Sequence, residues 1–336
     1  MKAVLCEAFG GPEVLALREV PDPPPPRAGE LQVRIQARGV QYVDVLMLAG
    51  KYQFRPEPPF IPGNEGAGEV VALGPSVDSF KPGDRIMSRQ RLGAFAELGN
   101  CKAADCDLVP AVLSLEEAAV FRNVYQTAYH ALLQRGRLKA GEWVMIHGAA
   151  GGIGLPAIQI SKLNGARVIA TASTEEKRAV CIPEGADYAI DYQPGFRDRV
   201  LELTQGRGVD IIYDPVNGPI FEDSLRCLAW GGRILILGFL GGPPALARTN
   251  YLLIKGIEAV GVRIGGLNEA HPEIAAANNR ALLDLAAQGK LKPRIWRRFP
   301  LSEAAAAIQA LIDRQVIGKA VLVGSGRLSV ITSRST

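Results

Sequence analysis

Residues 143–162 read Trp-Val-Met-Ile-His-Gly-Ala-Ala-Gly-Gly-Ile-Gly-Leu-Pro-Ala-Ile-Gln-Ile-Ser-Lys. The apolar run from Trp143 to Ile146 passes into a glycine-rich turn, and an amphipathic helix follows from Leu155. Written as Ala149-x-Gly151-x-x-Gly154, the turn is a variant of the dinucleotide-binding fingerprint. Small residues let the backbone turn tightly and approach a pyrophosphate, and the helix N-terminus adds N–H groups and a favourable dipole. Pro156 costs the helix little, because first-turn N–H groups have no intrahelical partner. A plain strand-to-helix turn is the alternative. The strand before it, the helix after it and the α/β setting favour dinucleotide binding, with Gly148, Ala149, Ala150, Gly151, Gly152, Ile153 and Gly154 as the cradle.

Outward from this turn, apolar strands at 143–147, 167–171, 187–190, 209–213 and 232–237 alternate with helical stretches. Such alternation predicts a parallel sheet covered by helices on both faces. A capping box, Ser114-Leu115-Glu116-Glu117, opens the region. The second strand leads to Ser173, nineteen residues past Gly154 (173 − 154 = 19). An NAD-preferring site usually has an acid about 20 residues past the loop, bonding the ribose 2′-hydroxyl. Ser173 in that place, with Lys177 after it, points to the 2′-phosphate of NADPH. A solvated helix lysine is the ordinary alternative, and Glu175 and Glu176 weigh against the phosphate.

The first third of the chain reads differently. Residues 31–38, Leu-Gln-Val-Arg-Ile-Gln-Ala-Arg, alternate strictly between apolar and polar, the period of a half-buried strand. Pro21-Asp22-Pro23-Pro24-Pro25-Pro26 must be a loop. Short β-like runs follow at 68–74, 83–88 and 94–98. In the last third, Ala270–Gln288 and Ser302–Arg314 are helix candidates and 319–323 a short strand, a segment expected to pack back onto the first domain. Residues 252–264 read as a strand at a sheet edge, which invites a two-fold dimer.

The chain has 336 residues, 48% hydrophobic and 21% charged, an ordinary globular balance with room for two domains of about 150 residues. A net charge of +4, scattered, gives no argument for nucleic acid. No apolar run approaches the ~18 to 20 residues of a membrane span, and Glu7 interrupts any signal-peptide core. A cytoplasmic protein is expected. Five sparse cysteines suggest free thiols.

The loop Gly148–Gly154 resembles that of the quinone oxidoreductases, in the medium-chain dehydrogenase/reductase superfamily. The resemblance runs nearly end to end, through Pro62-Gly63-Asn64-Glu65-Gly66-Ala67-Gly68, Lys81-Pro82-Gly83-Asp84-Arg85, Gln126–Leu132, Asp214-Pro215-Val216 and Gly318–Leu322. It implies an α/β chain: a split GroES-like β-rich catalytic domain, residues 1–122 and 262–336, around a Rossmann NADP-binding domain, residues 123–261. It also implies roles. Lys177 and Tyr192 would hold the 2′-phosphate. Tyr52 would lie near the nicotinamide, Gly238-Phe239-Leu240 would line the nicotinamide ribose, and Asn217 is a further cofactor-binding candidate. Arg314 and Lys319 fall in a C-terminal cofactor-contacting segment. Gln41, in Gly39-Val40-Gln41-Tyr42-Val43-Asp44, departs from the Asn usual in the family, which bears on nicotinamide position and substrate preference.

Zinc-dependent relatives carry a Cys in the segment matched by 39–44 and a His in that matched by 63–66, and this chain has neither. His130, His147 and His271 show no ligand spacing, and Cys101 and Cys106 read as small packing residues. No metal is expected. Without zinc, little polarises a simple ketone. Quinones and activated alkenes need less help, so an oriented NADPH in a dry cleft suffices. Tyr42, Tyr52 and Tyr129 are candidate hydroxyl donors, with packing as their alternative. The rival functions are an enoyl or alkenal reductase and, from a different class, an RNA-binding or structural protein like the zeta-crystallins.

Overall fold

The alternation at 31–38 becomes a long strand because it buries the row Leu31, Val33, Ile35 and Ala37 and leaves Gln32, Arg34 and Gln36 partly or fully exposed, while Arg38 departs from the pattern and is fully buried. In a computed structural model of the chain, residues 1–193 and 195–324 are described. They begin with β1 (Lys2–Cys6) and β2 (Leu15–Glu19), an antiparallel pair. The alternating stretch forms β3 (Glu30–Gly39), whose Leu31, Val33, Ile35 and Ala37 are buried. Then come β4 (Glu65–Leu73), β5 (Arg85–Arg89), β6 (Leu98–Lys102) and β7 (Cys106–Leu108). The run at 94–98 is apolar for a different reason than strand pairing. Phe95 is fully buried in an irregular segment, its N–H bonded to Pro62 O and its carbonyl to the Val4 N–H.

A second unit carries β8 (Trp143–Ile146), β9 (Arg167–Thr171), β10 (Tyr188–Ile190), β11 (Val209–Asp214), β12 (Leu228–Ile236) and β13 (Glu258–Gly261). All pair in parallel, in the order β10-β9-β8-β11-β12-β13. Counted within the unit, that is third, second, first, fourth, fifth, sixth: the doubly wound Rossmann order, whose direction reverses between β8 and β11. Both strands at this switch point are buried along their whole length. The chain then returns to the first unit with β14 (Ile295–Pro300) and β15 (Lys319–Val323), giving a seven-stranded sheet in the order β14-β15-β3-β4-β5-β7, with β6 on β3. The first unit is the GroES-like, β-rich part.

By contacts the chain divides into Met1–Asn123, joined by the segment from Arg294 on, and Val124–Pro293. The second boundary lies beyond the expected 261/262. The helix Pro272–Ala287 packs in the second unit through carboxamides: Gln126 Nε2 donates to Asn279 Oδ1 (3.2 Å) and Gln134 Nε2 to Asn278 Oδ1 (2.9 Å). In a sequence these carboxamides look like surface. The expected edge strand at 252–264 also changes form. Residues Thr249–Lys255 are a helix stopped by left-handed Gly256 (φ +58°), and only Glu258–Gly261 joins the sheet, on β12.

Candidate functional site

The glycine turn leaves the carboxyl end of β8 and enters the helix Gly154–Leu163. Gly148 takes the left-handed conformation (φ +57°), and Gly151 N–H donates to its carbonyl (2.9 Å). Ala149 N–H donates to Thr171 O (3.0 Å), tying the turn to β9. A Cβ on Gly154 would stand 2.5 Å from Ala149 O, so that position is closed by the protein's own backbone. A Cβ on Gly151 would meet only Gly148 O, at 3.1 Å, so the space before it is open. The N–H groups of Gly152 and Ile153 have no acceptor among the described residues. An open glycine face beside unpaired helix-start N–H groups fits a pyrophosphate.

Beneath the turn, His147 is fully buried. Its Nδ1 lies 2.9 Å from Thr171 Oγ1 and its Nε2 2.8 Å from Ser224 Oγ. Ser224 gives its own proton to Ile220 O (2.7 Å), so Nε2 is the nitrogen that donates. Burial pushes the imidazole below its ordinary value, against the pull of Asp214. His147 is a neutral brace.

Past β9, Thr174 caps the helix Glu175–Cys181 by accepting from Lys177 N–H (3.2 Å). Ser173, Lys177 and Tyr192 are all half-buried, and Tyr192 packs against the core of this unit. A second cation, not singled out by the sequence, stands here: Arg178 Nη1 donates to Ala172 O (3.1 Å) and Asp191 Oδ2 (3.0 Å). At the end of β11, Asp214 Oδ1 accepts from Val216 N–H (2.9 Å) and Asn217 N–H (2.7 Å). Buried Asn217 then accepts from Ala245 N–H (2.8 Å), fastening the loop that contains Gly238, Phe239 and Leu240. Phe239 and Leu240 are exposed.

In the first unit, Gln41 caps the helix Tyr42–Leu48, and its N–H donates to Asp44 Oδ2 (2.8 Å). Asn123 Nδ2 donates to Gln41 Oε1 (2.5 Å). With its oxygen held, the amide presents Nε2, which is buried without a partner. Asp44 Oδ1 and both Glu65 oxygens are likewise buried without a hydrogen bond. Lys319 Nζ donates to Val40 O (3.1 Å) and lies 3.7 Å from Glu65 Oε1. Burial pushes Asp44 up to about 7 and Glu65 upward, and pushes Lys319 down. The Lys319 ammonium is thus committed to this nest. Tyr42 is exposed, Tyr52 half-buried, and Arg314 exposed in a left-handed turn (φ +56°).

These elements match known proteins over almost the whole chain. Residues 27–129 match the alcohol dehydrogenase GroES-like domain and residues 152–279 the zinc-binding dehydrogenase family. A quinone oxidoreductase of Pseudomonas aeruginosa is 36% identical, covering 96% of this chain and 99% of the relative. The chain belongs to the quinone oxidoreductase family. Among solved structures, Escherichia coli quinone oxidoreductase complexed with NADPH superposes with a TM-score of 0.88 at 30% identity, covering 96% of this chain and all of that one. An NAD-dependent alcohol dehydrogenase superposes with the same TM-score, also at 30% identity, covering 96% of this chain and 99% of that one.

For a member of this family, the residues the sequence missed are instructive. Arg178 was not singled out in the sequence, and nothing in its neighbours announced Asp191. Asn123 lies far from Gln41 in sequence, and Asp44, Glu65 and Lys319 are scattered along the chain. Lys319 was expected near a cofactor, and its contacts are instead with Val40 and Glu65.

Proposed function

We propose that this quinone oxidoreductase family member transfers a hydride from NADPH to a quinone or similar conjugated acceptor, without a metal. The observation that carries this is the open face of Gly151 beside the unpaired N–H groups of Gly152 and Ile153, at the β8/β11 switch point. The chemistry NADPH supplies when bound is hydride donation. Gly148–Gly154 bind the pyrophosphate; Ser173, Lys177 and Tyr192, with Arg178 beside them, hold the 2′-phosphate. Asn217, Gly238, Phe239, Leu240 and Arg314 complete the binding set. Gln41, Tyr42 and Tyr52 are the side chains assigned to orient an acceptor carbonyl.

Zinc fits these residues poorly. No group of three or more His, Cys, Asp or Glu side chains that could hold a metal occurs among the described residues. Near Gln41 and Asn64 stands the Lys319 ammonium, which repels a second cation. A homodimer through the β13 edge is part of the proposal, supported by the exposed Leu253 and Ile254 beside it. Among the described residues no helix is long and apolar enough to cross a membrane.

The test is a chelated enzyme assayed with NADPH and with NADH against quinones, enals and simple ketones. The expected result is quinone reduction with NADPH, undiminished by chelation. Stoichiometric zinc with loss of activity on its removal overturns the metal-free proposal. Preference for enals moves the activity to C=C reduction, and ketone reduction with NADH moves it to alcohol dehydrogenase chemistry.

A further inference from the structure

Cys101 and Cys106 take no part in the proposed site. Cys101 lies in β6 opposite Leu31 of β3, and Cys106 opens β7 opposite Ser88 of β5. The 3-10 turn Ala103–Asp105 joins them. β6 is laddered to β3 and β7 to β5, and among the described residues no ladder joins β6 to β7. The two sulfurs meet across that seam. Their Sγ atoms are 3.3 Å apart, in an apolar cluster with Leu31, Val33 and Ile86. By contrast, Cys6 and Cys181 donate only to backbone carbonyls, those of Ala8 and Lys177.

The pair is asymmetric. Cys106 Sγ also lies 3.3 Å from Lys102 O, and the Cys101 sulfur and burial push the Cys106 thiol up. Cys106 therefore keeps its proton, which leaves Cys101 as the attacking sulfur. Arg122 stands beside them, its Nη1 bonded to Asp105 O (2.6 Å) and paired with Asp107 (3.0 Å). Its Nε is buried with no acceptor among the described residues, and its charge works against the upward push on Cys106.

We propose that Cys101 and Cys106 form a redox-active dithiol, an oxidation site that closes to an intramolecular disulfide under a peroxide-class oxidant. The Cys101 thiolate attacks one peroxide oxygen, the O–O bond breaks, and the departing oxygen takes a proton and leaves as water. Cys106 sulfur then attacks the Cys101 sulfenic sulfur, an S–S bond forms, and the hydroxyl leaves with the Cys106 proton as a second water. Two thiols and one hydrogen peroxide give one disulfide and two waters. The sulfurs have only to close from 3.3 Å to a bond of about 2.05 Å, with the 3-10 turn as the moving part. The product is a covalent clasp between β6 and β7.

The test is a thiol count. Hydrogen peroxide is applied to the folded protein and quenched, the chain is unfolded in denaturant, and thiols are titrated with a chromogenic disulfide. Of the five cysteines, three should remain titratable, with an intact mass lower by two hydrogens. Dithiothreitol should restore all five, and peptide mapping should join Cys101 to Cys106. Cys101→Ser should keep its four thiols, and Cys106→Ala, which keeps a small apolar residue in the core if the serine variant fails to fold, should lose no pair of hydrogens and form no disulfide at Cys101. Cys181→Ser should fall from four to two. Circular dichroism before and after oxidation establishes that the folded state was tested. Five thiols surviving oxidation, a disulfide using another cysteine or a second chain, or a loss that dithiothreitol does not reverse would each overturn the assignment.

Discussion

In the proposed function Lys177 decides the cofactor by charge. A 2′-phosphate carries about −1.5 to −2 at neutral pH, and a charge-assisted bond to it is worth roughly 1.5 to 3 kcal/mol. Lys177→Ala should therefore weaken NADPH binding about ten- to a hundredfold and leave NADH nearly unchanged. Arg178 sets the lower end of that range, because its guanidinium stays beside Ser173, bonded to Ala172 O and Asp191. Titration of both cofactors checks it; equal losses, or a wild type that prefers NADH, remove Lys177 from the site. Asp44 carries a second prediction at this scale. Its folded value is pushed from 3.8 up to about 7, by burial first. Glu65 and Lys319 face it, and the Gln41 and Gly63 N–H groups bond it. As pH rises past the ordinary value, the unfolded chain gives up this proton while the folded chain holds it. Asp44 thus lowers stability progressively between about pH 4 and pH 7. Asp44→Asn keeps an acceptor for the Gln41 N–H and removes the titration. In urea unfolding, the variant should gain on wild type as pH rises from 4.5 to 8; a difference flat with pH would show an ordinary Asp44.

The glycine turn separates folding from binding within one element. Gly154→Ala would drive a Cβ to 2.5 Å from Ala149 O, and backbone cannot yield as a flexible side chain can. It should cost roughly 1–3 kcal/mol of stability. Gly151→Val meets only Gly148 O, at 3.1 Å, and its methyls reach into the open face. It should stay folded and lose cofactor affinity by more than tenfold. Thermal unfolding paired with NADPH titration distinguishes the two, and a folded Gly151→Val with unchanged affinity would show that the turn does not cradle pyrophosphate. This element was legible because its signals are local: an apolar run, small residues and a helix start, all within twenty positions. The same locality made β8, β9, β11 and β15 readable. What could not be read was pairing at a distance. The helix Pro272–Ala287 shows its partner only through Asn278 and Asn279, polar residues that look solvent-facing until Gln134 and Gln126 meet them. The Thr249–Lys255 helix carries Leu252-Leu253-Ile254, which mimics a strand because two of the three are exposed.

For the whole molecule, the six-stranded sheet ends at β13, which among the described residues pairs with β12 alone. An unpaired parallel edge presents N–H and C=O groups to any strand that approaches. The same unit leaves Leu246 95% exposed, Leu253 84% and Trp230 83%, with Trp230 close to Gly256 at the helix end that precedes β13. Large apolar side chains this exposed mark a surface that another protein covers. A two-fold axis beside β13 would cover it with a second copy and continue the sheet from edge to edge, since a two-fold interface uses one patch twice. The chain should therefore sediment at twice its own mass. Replacing Leu253 and Ile254 together with Asp puts four like charges into such an interface, two from each copy, while touching no residue of the glycine turn. The double variant should sediment as a monomer and keep its NADPH affinity and circular dichroism. A wild type that is already monomeric, or a folded double variant that remains a dimer, would show that the β13 edge is not where copies of this chain meet.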